Sequence, residues 1–189
     1  MPGRFGNKYL VISVIGSHAG EGIKAIFDRK KKEVADTGLC YWLIKSFKAR
    51  TERVQKVCRK AADENEKVFC LFISPSAKNG ARPTIHAEIV EEFSEDNKNW
   101  AVLPEGIKIT GKIDRFSTAL VFDDIQILHR PLSFDLSGYS EFETNLSIKF
   151  QLGASTVCAE SSSVIRTPAR FRNVIATGEL HPPYAVWLR

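Results

Sequence analysis

The run from Tyr9 to Ile15 is apolar apart from Ser13 and is rich in β-branched residues. Such a segment has no wet face to offer. It fits a strand over Lys8 to Ile15 that is covered on both sides. The run is too short to span a bilayer. Its length imitates a secretory h-region, but its flanks suit a buried strand better. Gly16-Ser17-His18-Ala19-Gly20-Glu21-Gly22 then breaks the pattern as a loop. A helix follows to about Asp36, with Ile23, Ile26, Phe27 and Val34 on one face and Gly38 placed to cap its C-terminus. Leu39 to Ile44 is a second buried strand. The first forty-five residues therefore read as a strand–helix–strand unit.

The same alternation continues. Thr51 to about Ala62 is a second helix, with Val54, Val57, Cys58 and Ala61 on its apolar face, and Val68 to Ile73 is a third strand. Ser74 to Pro83 is a long polar loop. Thr84 to Phe93 fits either period, with a lean to strand. Asp96-Asn97-Lys98-Asn99 is a turn. Ile107 to Ile113 and Ser117 to Leu128 read as strands, the latter broken near Asp123-Asp124. Leu146 to Leu152 and Thr156 to Ala159 read as a later pair joined through Gly153. The tail, with Pro168, Pro182 and Pro183, reads as an irregular extension over residues 161–189, packed on or beside a single domain over 1–160. The expected class is α/β or α+β around a mixed sheet. A chain of 189 residues is long enough to bury such a core unaided.

Several function classes are excluded or left without support. No Gly-Lys-Ser/Thr closes the first loop, so it is not a P-loop. Gly20-Glu21-Gly22-Ile23-Lys24-Ala25 fits G-x-G-x-x-A, but the second strand ends in Ile44-Lys45-Ser46 instead of an acid that would hold a ribose. Cys40, Cys58, Cys70 and Cys158 show no C-x-x-C spacing and read as buried reduced thiols. His86, His129 and His181 stand isolated in sequence. No metal and no cofactor is expected. With no span or lipid anchor in the sequence, no membrane partner is expected, and the thiols point to an intracellular setting, cytoplasmic or nuclear.

Two constellations remain. The first is the glycine loop, which follows a strand and opens a helix, the context in which free amides bind anions. Gly16, Ser17, Gly20 and Gly22 would hold a phosphate there, and His18 would be the candidate general base of a small enzyme acting on a phosphorylated or nucleotide ligand. Gly20 or Gly22 is expected to need a backbone angle, or a closeness of approach, that a Cβ obstructs.

The second is Tyr41-Trp42 on a strand that ends in Lys45-Ser46, followed at once by Lys48, Arg50, Arg53 and Lys56. The net charge is only +5, but basic residues crowd positions 24–60 and acids follow them. Aromatic rings beside cations are how single-stranded or flipped bases are held, the ring stacking on the base while the cations meet phosphates. The competing reading is two solvated helix faces that serve, at most, a protein-interaction domain.

Tyr41-Trp42-Leu43-Ile44-Lys45-Ser46 resembles the Tyr-Trp-Leu-Met-Lys-Ser opening of EVE domains, members of the PUA-like superfamily. Val68 to Ser74 resembles that family's apolar strand ending in a small polar residue, and Ile85 to Glu92 its next strand. The resemblance covers roughly residues 39–128. The Glu-Pro that follows Lys-Ser in the family is Phe47-Lys48 here, its Arg-Asn-Tyr stretch is missing, and the strand and helix before Tyr41 are extra. The resemblance implies a PUA-like small barrel with a pocket for a nucleobase, often a modified one, and carries over Trp42, Lys45, Ser46 and Ser74. With Lys48, Arg50 and Arg53 added from the basic stretch, the expected function is a nucleic-acid or nucleobase-binding module whose partner is RNA or DNA.

Overall fold

A computed structural model describes residues 6–15, 22–74, 89–150, 155–163 and 168–189. It is an α+β fold built around one mixed sheet. The elements run β1 (Tyr9–Val14), α1 (Ile23–Thr37), β2 (Cys40–Lys45), α2 (Thr51–Asp63), β3 (Phe69–Ile73), β4 (Glu92–Ser94), β5 (Ala101–Val102), β6 (Ser117–Phe122), β7 (Gln126–Asp135), a 3-10 turn (Leu136–Gly138), β8 (Tyr139–Glu141), β9 (Thr156–Ser161) and β10 (Phe171–Leu188). The first five elements form where the sequence places them. Helix α1 closes as expected, with Gly38 at φ +82° and its N–H donating to the Val34 carbonyl at 2.8 Å. A left-handed residue at that position is what favours glycine.

The two strands of the strand–helix–strand unit do not pair with each other. The sheet order is β2-β6-β10-β3-β1-β9-β8, so β1 and β2 are not neighbours. The parallel partner of β1 is β3, with Leu10 opposite Phe69 and Val14 opposite Ile73. Strand β2 lies antiparallel to β6 at one end of the sheet. Apolar runs covered on both faces carry no register signal that would distinguish one partner from another.

The tail is corrected. Residues 171–188 are not an irregular extension; they form the longest strand among the described residues, in the middle of the sheet. On one edge of β10 lie β7 and then β6, with register shifts along the way: Asp135 opposite Phe171, Gln126 opposite Thr177, Phe122 opposite Leu180, Leu120 opposite Ala185. On its other edge lie β3 and β4. Pro182 and Pro183, joined by a cis peptide, sit inside the register shift between Leu180 and Ala185, where no ladder bond is required of them. Gly178 faces the kink between β6 and β7. A Cβ there would lie 2.8 Å from the Phe122 ring and 3.0 Å from the Asp124 carbonyl.

Residues 107–113 form no strand, only a bridge between Thr110 and Ile89, and the segment over 146–150 makes one bridge, at Ser147. Residues 84–88 of the ambiguous segment lie outside the described residues, as do 151–152.

The sheet curls without closing into a barrel. Among the described residues no ladder joins its end strands β2 and β8. The inner face takes Tyr9, Val11, Cys40, Trp42, Ile44, Phe72, Leu120 and Phe122, packed with Ile26 and Phe27 of α1 and Val54, Val57 and Ala61 of α2. One outer face, with Tyr41, Ala119, Val121 and Val186, is covered by Val90, Leu103 and Ile109. The other, with Leu10, Ile12, Leu71 and Ile73, is covered by Phe134, Leu136 and Ile148. No helix among the described residues is long and apolar enough to cross a membrane.

Candidate functional site

The curl leaves a gap between the end strand β2 and the C-terminal end of β1. A cavity of about 310 Å³ occupies it. Its walls are Ser13 and Val14 of β1 with Ile15 just beyond it, Ile26, Arg29 and Lys30 of α1, residues 41–45 of β2, Lys108, Ile109 and Thr110 opposite, and Ser155.

Trp42 forms part of the apolar wall. Strand alternation turns it to the inner face, where Phe72 lies 4.5 Å and Phe27 5.1 Å from it, centroid to centroid. It is 8% exposed. The ring is therefore a core residue that shows one margin to the cavity, not an open stacking platform.

The charged wall comes from α1. Lys30 and Glu33 fall on the buried face of that helix, beside Ile26 and Phe27, and pair at 2.7 Å with both side chains 4% exposed. Arg29 reaches the same carboxylate at 3.4 Å and donates to the Lys108 carbonyl at 3.4 Å, tying α1 to the opposite wall. Burial pushes the Lys30 ammonium below its usual range, against the attraction of Glu33. Lys45 pairs with Asp114 at 3.2 Å. Lys108 is exposed and makes no ion pair among the described residues. Among the described residues, four cations thus face two carboxylates, an excess of positive charge.

Of the residues expected from sequence to bind a nucleobase, Trp42 and Lys45 line this cavity, while Ser46, Lys48, Arg50, Arg53 and Ser74 do not. Ser46 is fully buried, and its Oγ donates to the Thr156 carbonyl at 2.6 Å, joining the end of β2 to β9. Lys48 is a strut: its side chain is 12% exposed and holds the Glu141 carboxylate of β8, 7% exposed, while also donating to the Lys149 carbonyl at 3.0 Å. Arg50 lies over the Phe116 ring at 5.0 Å. Arg53 donates to the Phe142 carbonyl. Ser74 is half-buried, with its N–H on the Asn173 carbonyl at 2.9 Å.

The basic stretch is largely neutralised in space. Lys45, Lys48, Lys56 and Lys60 meet Asp114, Glu141, Glu143 and Glu160, and Lys24 and Lys32 meet Asp28 and Asp36 one turn away. The sequence could show only the last two pairs.

Gly16, Ser17, His18 and Gly20 lie outside the described residues. Gly22 shows no special need, with φ at −72° and nothing within 4 Å of a Cβ built there, and Gly20, the other residue of that expectation, lies outside the described residues. His129 is exposed, and His181 pairs with Asp123 at 3.3 Å. No cluster of three or more metal-binding side chains occurs among the described residues. The four cysteines are free and buried, and burial pushes the Cys40 and Cys158 thiols up to about 12.

No protein-family model, curated protein or solved structure matches this chain. The site must therefore be read from its own chemistry. Sequence reasoning missed Ser13, Arg29, Lys30, Lys108, Thr110 and Ser155 as wall residues. The one available signal was local: Glu33 stands three residues after Lys30 and four after Arg29.

Proposed function

We propose that this protein is a non-enzymatic binding module for a nucleotide unit, either free or displayed by single-stranded RNA or DNA. The observation that carries the proposal is the cavity, which sets the apolar side chains of Ile26, Trp42 and Ile109 beside Arg29, Lys30, Lys45 and Lys108. Its volume lies at the low end of the range for ligand pockets, about 300–1,000 Å³, and suits one nucleotide unit better than an oligomer. A planar base fits against the apolar wall, and a phosphate is favoured by the excess of cations in a partly desolvated setting. The same ligand class is what the resemblance of residues 41–46 to EVE domains implies.

The test is a titration of nucleoside monophosphates, plain nucleosides and short single strands against the wild-type chain and Lys108→Glu. Lys108 is exposed, so the variant should keep its thermal stability. Reversing its charge is expected to weaken monophosphate binding roughly tenfold, about 1.4 kcal/mol, and to leave nucleoside binding less affected. Equal affinity of the two proteins for every monophosphate would refute the assignment of the phosphate to this wall.

A further inference from the structure

In an antiparallel ladder, residues alternate between those that exchange both backbone hydrogen bonds with the partner and those whose N–H and C=O point the other way. The Ser46 N–H donates to the Phe116 carbonyl at 3.2 Å. That pair continues the register in which Lys45 stands opposite Ser117 and Trp42 opposite Leu120. Cys40, Trp42, Ile44 and Ser46 are therefore the residues bonded to β6. Tyr41, Leu43 and Lys45 turn their N–H and C=O groups toward the other edge of β2, which carries no ladder among the described residues. No backbone partner meets those groups among the described residues.

The cavity lies against this edge. Trp42 and Ile44 belong to the inner core, whereas Tyr41 and Leu43 pack in the outer cluster. All four line the same cavity. A space lined from both faces of one strand runs along its edge, so the polar groups it meets there are the backbone's own.

We infer that the open edge of β2 reads the ligand, the N–H and C=O of Leu43, flanked by those of Tyr41 and Lys45, exchanging hydrogen bonds with a ring that carries a donor and an acceptor on adjacent atoms. This rests on the reading of the cavity as a nucleotide site and names the part of the ligand it recognises: the lactam or amidine edge of a nucleobase. Such an edge presents what a partner strand's residue would present at a bonded pair. A base alkylated on that edge leaves the strand's groups desolvated and unpaired, which costs more than the bond itself is worth. The site therefore selects bases whose hydrogen-bonding edge is free, while Arg29, Lys30, Lys45 and Lys108 meet the phosphate.

Amide hydrogen exchange of the whole chain, followed by NMR, tests this with the four common nucleoside monophosphates. Each lactam-bearing one is compared with its counterpart methylated on the lactam nitrogen. At saturation the Leu43 amide should slow at least about tenfold, with Tyr41 or Lys45 following it, while Trp42 and Ile44, already bonded to β6, change little. The methylated ligand should bind at least about tenfold more weakly. Saturable binding with the Leu43 amide unchanged, or with equal affinity for the methylated ligand, overturns the edge reading alone. No saturable binding of any monophosphate up to millimolar concentration overturns the nucleotide reading of the cavity, and this inference with it.

Discussion

Lys48 offers the sharpest test of how charge is used in this fold, because its sequence context suggests a phosphate contact and its surroundings make it a strut. Its ammonium holds the Glu141 carboxylate, with the two side chains 12% and 7% exposed, and donates to the Lys149 carbonyl at 3.0 Å. Lys48→Ala leaves that carboxylate buried without its cation. Breaking a buried pair in this way costs about 3–5 kcal/mol. For a chain of this length each kcal/mol moves Tm by about 2–4 °C, so the drop should be roughly 6–20 °C. Glu141→Leu should also destabilise, since it strands the ammonium. Lys48→Met with Glu141→Leu removes both charges, keeps most of the volume, and should be more stable than the sum of the single losses by about 0.5–3 kcal/mol. Urea and thermal unfolding of the wild type, Lys48→Met, Glu141→Leu and their double variant gives the cycle, with Lys48→Ala measured beside it. Additive losses, or a Lys48→Ala penalty below about 1 kcal/mol together with a loss of nucleotide affinity, would refute the strut and return Lys48 to the binding surface.

Two other substitutions probe the core around the cavity. Trp42→Ala should cost about 3–5 kcal/mol in equilibrium unfolding, the range for emptying a large aromatic site between Phe27 and Phe72, and Trp42→Phe distinctly less; a loss under about 1 kcal/mol would show that the ring is not part of the core. Gly178→Ala should destabilise by about 1–3 kcal/mol, because its Cβ meets the Phe122 ring at 2.8 Å and the Asp124 carbonyl at 3.0 Å, and unchanged urea unfolding would contradict that contact.

The elements from β1 to β3 were legible because each is announced by local chemistry. Apolar runs mark the strands, a 3.6-residue stripe marks α1 and α2, and Gly38 marks the cap. Partner choice was not local. Nothing in Tyr9 to Val14 favours β3 over β2, and the match is decided by how the whole sheet curls. The tail was misread because Pro182 and Pro183 break strands in general, whereas here they occupy a register shift that needs no bonds from them. The site was legible only in Trp42 and Lys45, which share one strand. Its other walls come from Ser13, Lys30, Lys108 and Ser155, brought together from separate parts of the chain. The block of basic residues misled for a related reason: Asp114, Glu141, Glu143 and Glu160 lie far from Lys45, Lys48, Lys56 and Lys60 in sequence and beside them in space.

The central place of β10 sets an order on assembly. It is the strand that joins β6 to β3, and without it the main path falls into two pieces, β2 with β6 and β3 with β1, β9 and β8, while β7 and the β4–β5 pair lose their link to the sheet. During synthesis these pieces keep unpaired edges until residues 171–188 leave the ribosome. The cavity shares that schedule. Its walls belong to both pieces, Tyr41 to Lys45 on one and Ser13 to Ile15 on the other, and no residue of β10 touches it. A nonsense codon between positions 156 and 171 would therefore dismantle the cavity while sparing every residue described as lining it.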